Sequence, residues 1–469
     1  MIQRVVIFGG HIQALGLARQ VAAKGKEVVL LVEDGYSVAR FSRAVDRTII
    51  CRNGIGDFKL QIANLELPDK GTLLFPTNDE AVEWICAHYE EYKERFALGV
   101  PEPEVIELFN NKRTAYRYAA AHDVPCPECW YPDTIAEVEA LSGTLPYPVV
   151  VKPAIMYSFH ATFGKKAFRC DDAEELMSVY KRIAAAEYPL ESILIQEFLA
   201  GGPKHLYSYG VMAADGKPLA AIQANRIRQN PMDFGNSTTF AVTCNVPEIE
   251  AQSVRLLAQT RYFGLGEVEW MWDGKSQQYK FLEVNTRAWK WHTLSNQRHF
   301  SFIGKMIEYF DCIDDCKLQI DDLKENKNQI KTGENHENNL EVIKKAESSA
   351  YAASSVIANQ SACEQAPRQP NYQSPSANTD ESDLHDSFQK NVIFDNCEKS
   401  EKNIPVVGWC ERLTDWAVVA KELLHHRMKL MDVIKSYRIP HESAVWRWSD
   451  PLPGIMYILL SPVLYIKRH

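Results

Sequence analysis

The stretch that most constrains this chain is Gly264 to His292, GLGEVEWMWDGKSQQYKFLEVNTRAWKWH. Val268 to Trp272 and Gln278 to Val284 are apolar or alternating on either side of Asp273-Gly274, which predicts a β-hairpin. Paired strands bring same-face side chains together across the ladder, so Glu269 and Glu283 are expected within reach of each other. Asn285 shares the facing of Glu283 because strand side chains repeat every second residue, and so does Arg287 if the strand continues. Two carboxylates and a carboxamide on one face suit a hard cation such as Mg²⁺, which takes oxygen ligands and bridges to phosphate. A fixed guanidinium beside them suits a phosphate or a developing oxyanion. The competing reading is an ordinary solvated face, which charged residues alternating with apolar ones also make. Further pieces of a nucleotide site, met in order along the chain, weigh against it.

At 469 residues the chain exceeds one ordinary core, and two or three domains are expected. A net charge of −9 without a long basic run argues against nucleic acid as the main partner. The eleven cysteines form no framework, and Cys126-Pro-Glu-Cys129 has no second pair to complete a zinc site, so packing is the preferred reading. A reducing, cytoplasmic compartment fits this usage. The start, MIQRVVIFGG, enters a strand at once and shows no signal peptide.

Residues 4 to 8, a helical pattern through Ile12, Leu15, Leu17 and Val21, and residues 27 to 32 read as strand, helix, strand, the opening of a parallel α/β sheet. Gly9, Gly10 and Gly16 are not spaced as G-x-G-x-x-G, so this lobe is read as contacting a substrate rather than a dinucleotide. Thr72 to Phe75 forms another strand, and Thr77, Asn78 and Asp79 after it suit either a ligand or a helix cap. Beyond Pro103 a helix opens at Asn110-Asn111-Lys112. Val149-Val150-Val151-Lys152-Pro153 is a buried strand whose lysine needs an anionic partner, which a nucleotide phosphate would supply. Lys165 and Lys166 flank the loop that follows, and snorkelling at the surface is their plainer explanation. Ile193 to Leu199 reads as a strand leaving the core, with Gln196, Glu197 and Phe198 at its end as a hinge edge for adenine. Strands at 206 to 213 and 218 to 225 precede Arg226 and Arg228.

In this order and spacing, Lys112, VVVKP, ILIQEFL at 193 to 199, Glu269 and FLEVNTR at 281 to 287 resemble the ATP-grasp enzymes over roughly residues 1 to 300. The resemblance implies a Rossmann-like lobe at 1–108, a two-lobed ATP-grasp domain at 109–316, and ATP bound with Mg²⁺, for which Mn²⁺ would substitute. It places Lys112, Lys152 and Lys166 on phosphates, Gln196, Glu197 and Phe198 at the adenine, and Glu269, Glu283 and Asn285 on the metal. Arg287, with Arg226 and Lys152, would serve the chemistry: phosphorylation of a carboxylate and displacement of phosphate by an amine. Phosphoryl transfer asks mostly for positioning and charge neutralisation, which such residues provide. The alternative is a silent ATP-binding regulator of the same fold. Ala288-Trp289-Lys290-Trp291 departs from biotin-carboxylase relatives, which place a glutamate there, and looks closer to the D-aspartate-ligase branch acting on cell-envelope precursors.

From 317 to 403 the composition, rich in Asn, Gln, Glu and Ser, reads as a disordered insert. Residues 404–469 read as a small helical segment, with a helix over Leu413 to Ser436. The apolar run 454–469 is too short to span a bilayer. Docking on the body of the enzyme is its first reading, and peripheral contact with the inner membrane surface is the second. The oligomeric state is not legible.

Overall fold

The computed structural model describes residues 1–65, 71–155, 159, 162–232, 235, 237–314 and 405–468. The insert expected at 317 to 403 lies outside the described residues.

The first lobe is a parallel sheet whose spatial order is Arg47–Ile50, Glu27–Val32, Arg4–Phe8, Thr72–Pro76 and Ala97–Leu98. Successive residues of the central strand serve different cores. Val5 and Ile7 pack with the helix Ile12–Ala22, whereas Val6 and Phe8 pack with Phe58, Ile62 and Trp84. Burial on both faces is why the strand is apolar throughout. Gly9 has φ +106°, and a Cβ there would lie 2.3 Å from the Thr77 hydroxyl. Thr77 donates that hydroxyl to the Phe8 carbonyl at 2.7 Å. The glycine is therefore accounted for by the close approach of two strand ends. Asn78 caps the helix Asp79–Ala87 by accepting from Ala81 N at 2.8 Å, which leaves the Asp79 side chain available elsewhere.

A four-stranded antiparallel sheet follows, ordered Cys129–Trp130, Ile193–Glu197, Val149–Pro153 and Phe168–Cys170. The helices Ile135–Ser142 and Ala173–Ala185 bury Val138, Leu176, Tyr180 and Ile183 against it. Of the loop after Pro153, residues 156–158, 160 and 161 are outside the described residues.

The third sheet has seven strands, ordered Gln278–Asn285, Gly264–Asp273, Leu206–Ala214, Lys217–Asn230, Ser237–Cys244, Gly408–Cys410 and His441–Ser443. The last two strands accompany the helices expected in the C-terminal segment. Between them run the helices Arg412–Leu424 and Leu430–Arg438 rather than one continuous helix. One face of the sheet packs on the helices Lys112–Ala121 and Pro247–Ala258. Its other face shares a core with the first lobe, into which Trp289 and Trp291 insert. A Cβ on Gly210 would meet the Trp289 ring at 2.1 Å, so the sheet is built to admit that indole.

Candidate active site

The hairpin forms as its periodicity requires, and its register sets Glu269 opposite Glu283 and Glu267 opposite Asn285. A bulge falls here: Glu269 and Trp270 face Glu283 and Phe281, leaving Leu282 as the extra residue. Bulges re-aim side chains and free backbone groups. The Leu282 carbonyl accepts from the Tyr116 hydroxyl at 2.8 Å.

Two clusters share this sheet face. In one, Arg226 donates through Nη2 to Glu267 Oε1 at 3.0 Å and to Glu269. Asn285 Nδ2 donates to Glu269 at 2.9 Å and Glu267 at 3.2 Å, and the Trp291 indole donates to Glu267 at 3.0 Å. In the other, Lys112 Nζ pairs with Glu283 Oε2 at 2.9 Å. Helix Lys112–Ala121 is aimed by Asn111, whose side chain caps it through Arg113 N at 2.9 Å.

Charge follows burial. Lys112, then Lys166 and Lys152, hold Glu283 well below the usual carboxylate range. Burial, opposed by Arg226 and reinforced by Glu283 and Glu267, pushes Glu269 up. Burial, with Lys112 nearby, brings Lys152 down to about 8. Lys152 Nζ donates to the Tyr116 hydroxyl at 2.9 Å, and no carboxylate of the described residues pairs with it. Burial also lowers Lys166.

A cavity of about 530 Å³ opens over these residues. Lys112, Lys166, Arg226, Glu283 and Asn285 line it from the sheet side, while Gln13, Asp79 and Glu83 line it from the first lobe. The strand ends at Asn285, yet Arg287 still faces the cavity and donates to Asp79 through Nε and Nη2, at 2.5 and 3.0 Å. Gln196, Glu197 and Phe198 lie apart from it. Glu197 accepts from Glu128 N at 2.9 Å and from Lys280, lining a second cavity beside Cys126 and Cys129. Gln196 meets the Tyr116 hydroxyl at 3.1 Å, and Phe198 lies 4.5 Å under the Arg169 guanidinium.

The donor set fits a phosphorylated nucleotide and a hard cation. Lys152 is a half-buried ammonium with a neutral phenol as partner, and the carboxylates and Asn285 present oxygens of the type Mg²⁺ takes. Among the described residues no three His, Cys, Asp or Glu side chains converge on one point, because Arg226 and Lys112 occupy the carboxylates. Ion binding would exchange those pairs for metal and phosphate. Two participants, Glu267 and Tyr116, escaped the sequence reading: Glu267 is legible as the first acid of Glu-Val-Glu, whereas nothing points to Tyr116. Asp79, expected to suit a ligand or a helix cap, lines the cavity while Asn78 caps the helix.

Residues 111–298 match the carbamoyl-phosphate synthase L chain, ATP binding domain. The matched region, short of half of the chain, is an ATP-binding domain, in line with the resemblance to the ATP-grasp enzymes. It is similar to D-aspartate ligase of Enterococcus faecium (strain Aus0004), with 24% identity over 304 residues, 60% of this chain and 70% of that one. In fold it resembles the biotin carboxylase domain of Hydrogenobacter thermophilus 2-oxoglutarate carboxylase, solved with MgADP and bicarbonate. That likeness has a TM-score of 0.50 at 17% identity, over 62% of this chain and 65% of that one. Campylobacter jejuni biotin carboxylase gives 0.52 at 15% identity, over 63% and 68%. This chain thus spans about two thirds of the length of those two solved chains.

Proposed function

We propose that the protein is a Mg²⁺-dependent ligase that phosphorylates a substrate carboxylate with ATP and transfers the acyl group to an amine, forming an amide, ADP and phosphate. The observation that carries this reading is the Lys112–Glu283 ion pair at 2.9 Å in a cavity lined also by Lys166, Glu269, Asn285, Asp79 and Arg287. Lys112, Lys152 and Lys166 bind and orient the phosphates. Glu269, Glu283 and Asn285 hold the metal, which when bound supplies charge neutralisation. Arg287 faces the carboxylate that accepts the phosphoryl group. Its carboxylate oxygen forms the new P–O bond as the bond to ADP breaks; the amine then attacks the acyl carbon, phosphate leaves with the C–O electron pair, and the amine proton passes to solvent. Arg226, closed between Glu267 and Glu269, acts as a positioning residue for the metal-binding carboxylates. The similarity to D-aspartate ligase supports an amino-acid carboxylate as the activated substrate; a cell-envelope precursor as the acceptor and a cytoplasmic location belong to the same proposal.

The test is Mg²⁺-dependent ADP release with pools of amino acids, with hydroxylamine trapping the acyl phosphate, in wild type, Lys152→Ala and Glu283→Ala. A hydroxamate from the wild type alone is expected, each variant losing about 10²-fold or more in rate. Turnover undiminished in both variants would refute the site assignment.

A further inference from the structure

The C-terminal helix Leu452–Arg468 has two unlike sides. Its inner side is pinned to the first lobe. Asp450, just ahead of it, accepts from Arg19 Nε at 2.9 Å, Ser42 Oγ at 2.5 Å and Arg43 N at 3.2 Å. Pro453 and Gly454 are buried, and a Cβ on Gly454 would strike the Trp446 ring at 2.4 Å. Its outer side is exposed and apolar: Leu452, Ile455 and Leu459 recur at i, i+3 and i+7, one stripe of a helix. Leu459 is 64% exposed, Ile458 beside it 58%, and Trp448 86%.

The charged residues of this helix have one sign in the sequence: Leu452–Arg468 contains no acidic residue, and Lys467 and Arg468 lie in its last turn. The two acids just upstream are engaged elsewhere, Glu442 by Arg447 and Asn296, and Asp450 as above. A chain of net charge −9 thus carries here an apolar stripe on a helix with two basic residues and no acidic one. A second copy placed on this stripe would bring the same basic end and no acid to meet it. An anionic lipid surface complements both features. None of the described helices is long and apolar enough to cross a membrane.

We propose that this face docks on an anionic bilayer, the helix lying in the interface with Trp448 at headgroup level, where amphipathic indoles favour residence. The same helix walls the approach to the active site. Tyr457 lines a small cavity of about 120 Å³ with His11, Gln13 and Lys290, and the last two also line the large cavity. A lipid-linked substrate would then reach the site from the membrane surface. That consequence rests on the ligase reading, whereas the docking surface does not.

The full chain would be sedimented with vesicles of phosphatidylcholine alone and of phosphatidylcholine with phosphatidylglycerol, at low and high salt. Wild type is expected to pellet with the anionic vesicles and to be released by salt. Ile455→Asp combined with Leu459→Asp should weaken partition about tenfold or more, because two charges replace exposed apolar side chains that would enter the bilayer interface. Should the double variant fail to fold by circular dichroism, Trp448→Ser, at a site already exposed, carries the test with the same direction. No pelleting of wild type, or equal pelleting of the folded variants, overturns the proposal. So does a wild-type dimer that these substitutions dissociate and that ignores lipid. Hydroxamate formation measured without vesicles separates failure here from failure of the ligase reading.

Discussion

Arg226 and Arg228 lie two residues apart on one strand, both buried against carboxylates, yet they do different work. Arg228 is fully engaged: Asp415 takes it bidentately at 2.8 and 2.7 Å, Ser436 adds a bond at 2.8 Å, and its guanidinium lies 4.5 Å over the Phe240 ring. Asp415 in turn accepts from Thr239 at 2.7 Å and from Tyr437. This cluster fastens the C-terminal helices to the sheet and is sealed from solvent. Arg226 shares one nitrogen between Glu267 and Glu269, leaves its buried Nε without a partner among the described residues, and lines the cavity. A satisfied polar cluster confers stability; one that is over-supplied with charge and open to a cavity is set to exchange partners.

The contrast breaks most sharply at Asp415. Asp415→Ala strands the Arg228 charge in a dry site and should cost about 3–5 kcal/mol of unfolding free energy, read by denaturant titration. Nucleotide affinity per folded molecule should stay unchanged. Arg226→Met should invert the pattern, with Mg²⁺ affinity and turnover falling about 10–100-fold, as for other groups that orient metal ligands, and a smaller stability loss because Asn285 and Trp291 still donate to the two carboxylates. Equal destabilisation by the two substitutions would erase the distinction. Glu267→Gln keeps the shape but removes one charge from Arg226, and about a tenfold loss in Mg²⁺ affinity is expected, in line with other groups that orient metal ligands. Unchanged affinity would make Glu267 a packing partner of Trp291 alone.

The sequence carried the local part of this arrangement. The hairpin, the Glu269–Glu283 pairing and the buried Val149–Pro153 strand follow from periods of two and from apolar runs, which depend on neighbours in the chain. The difference between Arg226 and Arg228 does not, because Ile227 is an extra residue in the ladder with Ser237–Cys244 and alternation fails across it. Nor does the pairing of Asp79 with Arg287, which joins side chains 208 residues apart. Trp289 and Trp291 looked like a departure from a catalytic pattern and are core residues that tie the first lobe to the sheet, Trp291 also holding Glu267. The three-residue strand 408–410 exists because the edge at Ser237–Cys244 offers backbone partners, and 441–443 because 408–410 then offers its own, information absent from so short a run.

The gentlest perturbation is pH, acting on Lys152. Burial and the neighbouring Lys112 bring this ammonium down to about 8, below its ordinary value of 10.5. Between those limits the unfolded chain binds the proton that the folded chain has released, so this residue's contribution makes stability rise with pH there. Phosphate binding needs the charged form, so nucleotide affinity should move the other way and fall about tenfold from pH 8 to pH 9–10, where each unit past the pKa removes a decade of the protonated form. Lys152→Met should flatten both trends, whereas Arg228→Met should leave the affinity profile intact. Isothermal titration with an ATP analogue across that range measures the first trend and chemical denaturation the second. Parallel rather than opposed slopes would mean that Lys152 is a structural lysine of the same kind as Arg228, and that the phosphate is held by Lys112 and Lys166.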